Sequence, residues 1–236
     1  MYSEIIGVLG GMGSYATCHL FHRLLDAFPG EKEWDRPQII INNNCTMPSR
    51  VRAILYNENE EQLKEELVKS VQGIIRCAEN KKTHIIIGCN TAHHYMSYLR
   101  EKVPEANFVD IIEACAEALS AKDVKEAVVL ATEGVFETKL YDKYFQRQGI
   151  TVQYPLHLMK EIRFFIERVK QNEVTEETTD LFFQLLSEYS PNDVILGCTE
   201  LPVVYERMLE KYEKAPGKEI HDPLEYGIQK LKQLLK

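Results

Sequence analysis

No apolar run in the chain approaches the roughly 18 residues that a helix needs to cross a bilayer, which predicts no membrane partner. The opening MYSEIIGVLGGMG lacks the basic n-region and small-residue cleavage site of a secretory signal. It reads instead as a first strand and predicts a cytoplasmic protein. Positive charge is also short, with 28 Lys and Arg against 36 Asp and Glu and a net charge of -8. Nucleic acid is normally met by a basic face, so no nucleic-acid partner is expected. The acidic excess is spread through helical stretches such as NENEEQLKEEL and reads as a solvated face. Such a surface still leaves room for a local basic pocket. Six cysteines are present, yet no spacing forms CxxC or CxxH, so no metal is expected. In a reducing compartment all six would be free thiols. Nor does any Gly/Ser linker or low-complexity tract divide the chain.

What is present is a substantial core: 236 residues, 44% hydrophobic and 27% charged, the balance of a globular protein of one large or two ordinary domains. Short β-branched runs lie at 5–9, 38–42, 84–88, 107–110, 127–131, 151–154 and 193–197, with a weak one near 219–221. They alternate with helical periodicity at 16–28, 60–80, 95–102, 138–148, 160–171, 176–188 and 223–235. Near-continuous apolar strands between amphipathic helices predict mostly parallel sheets covered on both faces. The class is α/β.

A weak repeat sharpens this. VLGGMGSYAT (8–17) and VLATEGVFET (129–138) share Val, Leu, Gly and Thr at a constant offset of 121, and Phe136 answers Tyr15. Strands ending in GCNT and GCTE recur at an offset of 109. We expect two similar, pseudo-symmetric domains, 1–105 with 215–236 and 106–214. Ligands in open α/β sheets bind beyond the carboxyl ends of the strands, so both Gly-Cys turns should face one interdomain cleft.

Cys89 in THIIIGCNTAHHY and Cys198 in NDVILGCTELPVV admit two readings. Free Cys is among the most buried residue types and packs as a small hydrophobe, which suffices for Cys18, Cys77 and Cys115 in helical patterns. Cys89 and Cys198 instead end strands just before helices, where first-turn N–H groups and the helix dipole would favour a thiolate. Thr91, Thr199 and Asn90 follow them and could orient a carboxylate or an ammonium group. Two matched thiols suit inversion of a stereocentre, one removing the Cα proton while the other delivers one from the opposite face. A nucleophilic cysteine would want a His partner; His93 and His94 stand near Cys89 for that role or for packing.

Gly11, Gly13 and Ala16 fit G-x-G-x-x-A, a variant of the dinucleotide fingerprint. The second strand, however, ends in Asn42-Asn43-Asn44 where the fingerprint expects an acidic residue. A Gly-rich turn whose amides approach a carboxylate explains the same residues. Arg50, at the loop–helix junction of NNNCTMPSRVRAIL, offers a bidentate fork for a carboxylate or a surface ion pair. Lys170, near a helix end, reads as a dipole partner.

Taken in order, GGMG, the Pro48-x-Arg50 loop, GCNTAH, GCTELP and HDPLEYGIQ resemble aspartate racemases of the cofactor-independent aspartate/glutamate racemase superfamily. The resemblance implies two α/β domains with the active site between them, no pyridoxal phosphate and no metal. It assigns Cys89 and Cys198 as the two proton donor/acceptors. Met12, Asn90, Thr91, Thr132 and Thr199 become substrate-binding groups, and Arg50 and Lys170 the basic pair for substrate carboxylates. It also implies a homodimer and a small-molecule ligand, a dicarboxylic amino acid. Ser14 stands where many relatives have Pro, and Ser49 replaces the frequent Asp of the Pro-Asp-Arg loop, which bears on substrate preference. Glu200 follows the second Cys-Thr where cell-wall glutamate racemases carry His, which favours the aspartate branch. The expected activity is interconversion of L- and D-aspartate, with glutamate or a broader set as extensions. The alternatives are an isomerase or decarboxylase of a related dicarboxylic acid using the same thiols, and a non-catalytic carboxylate-binding protein.

Overall fold

The protein is described by a computed structural model over residues 2–79, 81–188 and 192–235. The expected end of one helical pattern at residue 80 lies outside the described residues, as does residue 236. In chain order the first half runs β1 (Ile5–Gly10), α1 (Ser14–Ala27), β2 (Ile39–Asn43), α2 (Arg50–Tyr56), α3 (Glu60–Cys77) and β3 (Thr83–Ile87). A short 3-10 turn (Thr91–Tyr95) leads to α4 (Met96–Lys102), β4 (Asn107–Val109) and α5 (Ile111–Ala121). The second half continues with β5 (Glu126–Leu130), α6 (Glu133–Thr138), α7 (Asp142–Arg147), β6 (Thr151–Gln153), α8 (Met159–Lys170) and α9 (Glu176–Glu188). It closes with β7 (Asp193–Leu196), α10 (Leu201–Tyr212), β8 (Glu219–His221) and α11 (Pro223–Leu234).

The strands form two four-stranded sheets, ordered β2-β1-β3-β4 and β6-β5-β7-β8, and every pairing is parallel. The second order is the first with four added to each strand number, so the repeat in the sequence is a repeat of topology. Its register follows too. Leu9 pairs with Ile87 and Leu130 with Leu196, and Leu9 and Leu130 are the repeat partners 121 positions apart. The inner strands β1 and β3 are buried along their whole length, as parallel strands covered on both faces must be.

Three expectations shift. β4 joins the first sheet and β8 the second, whereas boundaries at 105 and 214 would give each to the other half. The reason is in the hydrogen bonding: β4 continues the ladder from β3, and β8 the ladder from β7. The helical run at 138–148 is broken, because Lys139 takes a left-handed conformation (φ 45°) and separates α6 from α7. Cys18 and Cys77 are exposed, and among the three helical cysteines only Cys115 packs as a buried hydrophobe.

One hydrophobic core runs from the inner face of the first sheet (Ile6, Val8, Ile86) through α5 and α11 into the second half. Another lies under α2 and α3 around Leu63, Leu67 and Ile85. Asp110 caps α5 by accepting from the N–H groups of Ile112 and Glu113, each at 3.2 Å, and receives the Tyr144 hydroxyl of α7 at 2.6 Å. One buried carboxylate thus starts a helix and ties the two halves together.

Candidate active site

Both cysteines are reached in the same way. β3 ends at Ile87 and β7 at Leu196, and each is followed by Gly and then Cys. Gly88 donates to the Leu9 carbonyl at 2.9 Å and Gly197 to the Leu130 carbonyl at 2.8 Å. The two turns are therefore pinned to repeat-related residues of β1 and β5. Cys89 is 7% exposed and Cys198 6%. The Thr199 hydroxyl donates to the Gly88 carbonyl at 3.3 Å. Each thiol stands one residue, ~3.8 Å of chain, from that contact between the halves, and the charge state of Cys89 bears on Cys198.

Further hydrogen bonds cross between the halves. Thr91 and Thr132 share one between their hydroxyls at 2.9 Å, so the two threonines named from sequence meet. Tyr141, fully buried in the second half, donates to Oδ1 of Asn90 at 2.5 Å. Its hydroxyl fixes the amide so that Nδ2 faces away, and that Nδ2 is buried without a partner. Nothing in the local sequence marks Tyr141. It lies 51 residues from Asn90, just ahead of a helix, and only the fold joins them.

Arg50 departs from its expected role as a free fork. Its Nη1 donates to the Pro48 carbonyl at 2.9 Å, and its Nη2 to the Met12 carbonyl at 3.0 Å. The guanidinium therefore ties the Pro48 loop to the Gly-rich turn, while Nε is buried and unpaired. Met12 is buried, with its carbonyl held by this arginine. The turn itself needs glycine twice. Gly11 has φ +84°, and a Cβ there would lie 2.4 Å from the backbone carbon of Asn44. A Cβ on Gly13 would fall 2.5 Å from Oε1 of Glu200 and 3.7 Å from Cγ of Lys170. Lys170, the last residue of α8, thus reaches over the same turn.

Glu200 is the residue whose part sequence reading underestimates. It is 1% exposed, and its Oε2 accepts from Cys198 Sγ at 3.0 Å. Burial, then the charge of Glu200, pushes the Cys198 thiol well above its ordinary value, while Lys170 pulls the other way. The thiolate expected from the helix dipole is thus opposed at Cys198: α10 begins at Leu201, beyond Glu200. His93 is buried, and its Nδ1–H donates to the Cys89 carbonyl at 2.9 Å, not to the sulfur. A carbonyl can only accept, so the proton sits on Nδ1. Burial depresses the His93 pKa and keeps the ring neutral.

Among the polar groups buried here without a partner, which also include His93 Nε2, are two donors, Asn90 Nδ2 and Arg50 Nε, and one carboxylate acceptor, Glu200 Oε1. A carboxylate would satisfy the donors and an ammonium the acceptor. Among the described residues no group of three or more His, Cys, Asp or Glu side chains could hold a metal ion.

Comparison with known proteins places this geometry in context. Residues 9–231 match the family described as Asp/Glu/hydantoin racemase. The broad specificity amino-acid racemase RacX of Bacillus subtilis is 25% identical over 212 residues, covering 86% of this chain and 88% of that protein. The glutamate racemase of Campylobacter jejuni is 30% identical over 141 residues, or 58% of this chain and 55% of that one. Among solved structures, an aspartate racemase of Picrophilus torridus superposes with a TM-score of 0.80 at 21% identity, covering 98% of this chain and 94% of that one.

Proposed function

The chain belongs to the Asp/Glu/hydantoin racemase family, and from that premise we propose that it interconverts L- and D-aspartate, accepting glutamate or a broader set of amino acids, by proton transfer between two cysteines. The observation that carries the proposal is the pair of buried thiols at equivalent positions of two repeated halves, one residue from a hydrogen bond joining those halves. A thiolate on one face of Cα removes the proton and a thiol on the other face returns one. The same two groups serve both directions with their roles exchanged.

The remaining groups hold the substrate. Asn90 Nδ2 and Arg50 Nε are donors awaiting a carboxylate, and Lys170 supplies a second positive charge for the side-chain carboxylate of a dicarboxylic amino acid. Thr91, Thr132 and Thr199 line the contact between the halves with hydroxyls. The Cα proton is weakly acidic, so donors fixed on the substrate carboxylate must stabilise the carbanion as it forms. Exclusion of water strengthens each of those contacts. The buried thiols are in such surroundings.

Purified protein incubated with L-aspartate, and in parallel with L-glutamate and a panel of other L-amino acids, tests the reading by chiral chromatography. The expected result is D-enantiomer without added cofactor, and its loss by roughly 100-fold or more in Cys89→Ser and in Cys198→Ser. Racemisation that survives both substitutions would overturn the two-thiol account.

A further inference from the structure

The two thiols are equivalent by repeat but differ in their surroundings. Sγ of Cys198 donates to Oε2 of Glu200 at 3.0 Å, and the Thr199 hydroxyl reaches the same oxygen at 3.4 Å. At the repeat offset of 109, the position answering Glu200 is Thr91. Thr91 is neutral, and its hydroxyl is engaged with Thr132. Among the described residues the sulfur of Cys89 has no hydrogen-bond partner, and the adjacent His93 turns to the Cys89 carbonyl instead. One thiol faces a buried carboxylate. The other does not.

We propose that Glu200 is a positioning residue that keeps the proton on Cys198, so that the resting enzyme holds Cys198 as its acid and Cys89 as its base. This rests on the racemase reading and deepens it. A carboxylate accepting from S–H favours the thiol, and ionising that sulfur would set two negative charges about 3 Å apart in a buried site. The charged and titratable groups facing Cys198 are Glu200 just ahead of α10, Lys170 from α8, Cys89 beyond β3 and Tyr141 ahead of α7. Lys170 alone favours the thiolate, and it is exposed, so its charge is screened by solvent.

The proton count balances without an outside reagent. The Cys89 thiolate takes the Cα proton and becomes a thiol, and the electron pair stays on the substrate as the carbanion. Cys198 S–H then delivers its proton to the opposite face and becomes the thiolate beside Glu200. Before the next turnover in the same direction, Cys198 regains a proton and Cys89 loses one through solvent. The enantiomer presenting its Cα–H to Cys89 therefore meets an enzyme already poised for it. Its mirror image needs the disfavoured form. Because enantiomers are equal in energy, kcat/KM is the same in both directions, and the asymmetry appears in kcat and KM separately.

The test is an NMR pH titration of the unliganded protein carrying cysteine isotopically labelled at Cβ, with Cys89→Ser and Cys198→Ser assigning the signals. Cys89 is expected to ionise at lower pH than Cys198, and Glu200→Gln to lower the Cys198 midpoint by roughly one unit or more. Glu200→Asp, which withdraws the carboxylate but keeps its charge, should fall between. Simultaneous ionisation, Cys198 ionising first, or a Cys198 midpoint unmoved in Glu200→Gln would overturn the assignment. Should Glu200→Gln not fold, the wild-type order decides alone. Since the titration needs no turnover, its failure is distinct from failure of the chiral assay.

Discussion

At the scale of single residues, Asn90, proposed here to hold substrate, shows how a donor can be fixed in place before a ligand arrives. Its amide would be free to flip but for Tyr141, whose hydroxyl takes up Oδ1 and leaves Nδ2 as the presented donor. Tyr141→Phe should raise KM for the amino acid more than it lowers kcat, and cost about 1 kcal/mol of stability. Steady-state kinetics and denaturant unfolding read these two effects. The cysteines, Asn90 and the threonines were legible in the sequence because polar residues directly after an apolar strand stand out from the pattern around them. Tyr141 was not, since an aromatic ahead of a helix looks like any core residue. Arg50 was legible as a cation but not as a clamp, because its partners are backbone carbonyls that no side-chain pattern reveals. Glu200 was read as a marker of the aspartate branch; its contact with Cys198 depends on α10 starting one residue later.

At the scale of elements, apolar runs bounded by polar turns made the eight strands of the described residues readable, and the offset of 121 foretold the matching sheet orders. Two features escaped for physical reasons. The assignment of β4 and β8 depends on which neighbour each short edge strand pairs with, a nonlocal choice that three residues do not encode. The break between α6 and α7 falls on a lysine, which carries no intrinsic signal for a left-handed turn. Asp110 shows an element-level dependence that can be measured. It caps α5 and also receives Tyr144, so Asp110→Ala leaves two helical N–H groups and a buried hydroxyl without acceptors. A loss on the order of 3 kcal/mol is expected in denaturant unfolding. The loss should shrink when Tyr144→Phe removes the orphaned hydroxyl as well.

Across the whole molecule, several hydrogen bonds between the halves are made by residues proposed for chemistry, among them Thr91–Thr132, Tyr141–Asn90 and Thr199–Gly88, so folding and site assembly are coupled. Acid should expose that coupling. Burial depresses the pKa of His93 beside Cys89 and of His221 at the end of β8 below the ordinary histidine value. In the unfolded chain both protonate near pH 6.5, while the folded state resists the charge. Their contribution is therefore fully present above that pH and is lost as pH falls through the depressed folded values. The Tm should drop as pH is lowered from about 7 to 5, and His93→Gln should flatten that drop. The central claim is that two thiols on opposite faces of Cα share one proton exchange. It is tested most directly by following the racemisation of L-aspartate in D₂O at low conversion. Deuterium at Cα of the D-aspartate formed, with the remaining L-aspartate unlabelled, is the predicted result. Deuterium appearing equally in recovered L-aspartate would mean a single base serving both faces, and neither exchange nor D-enantiomer would mean that aspartate is not turned over; either contradicts the account.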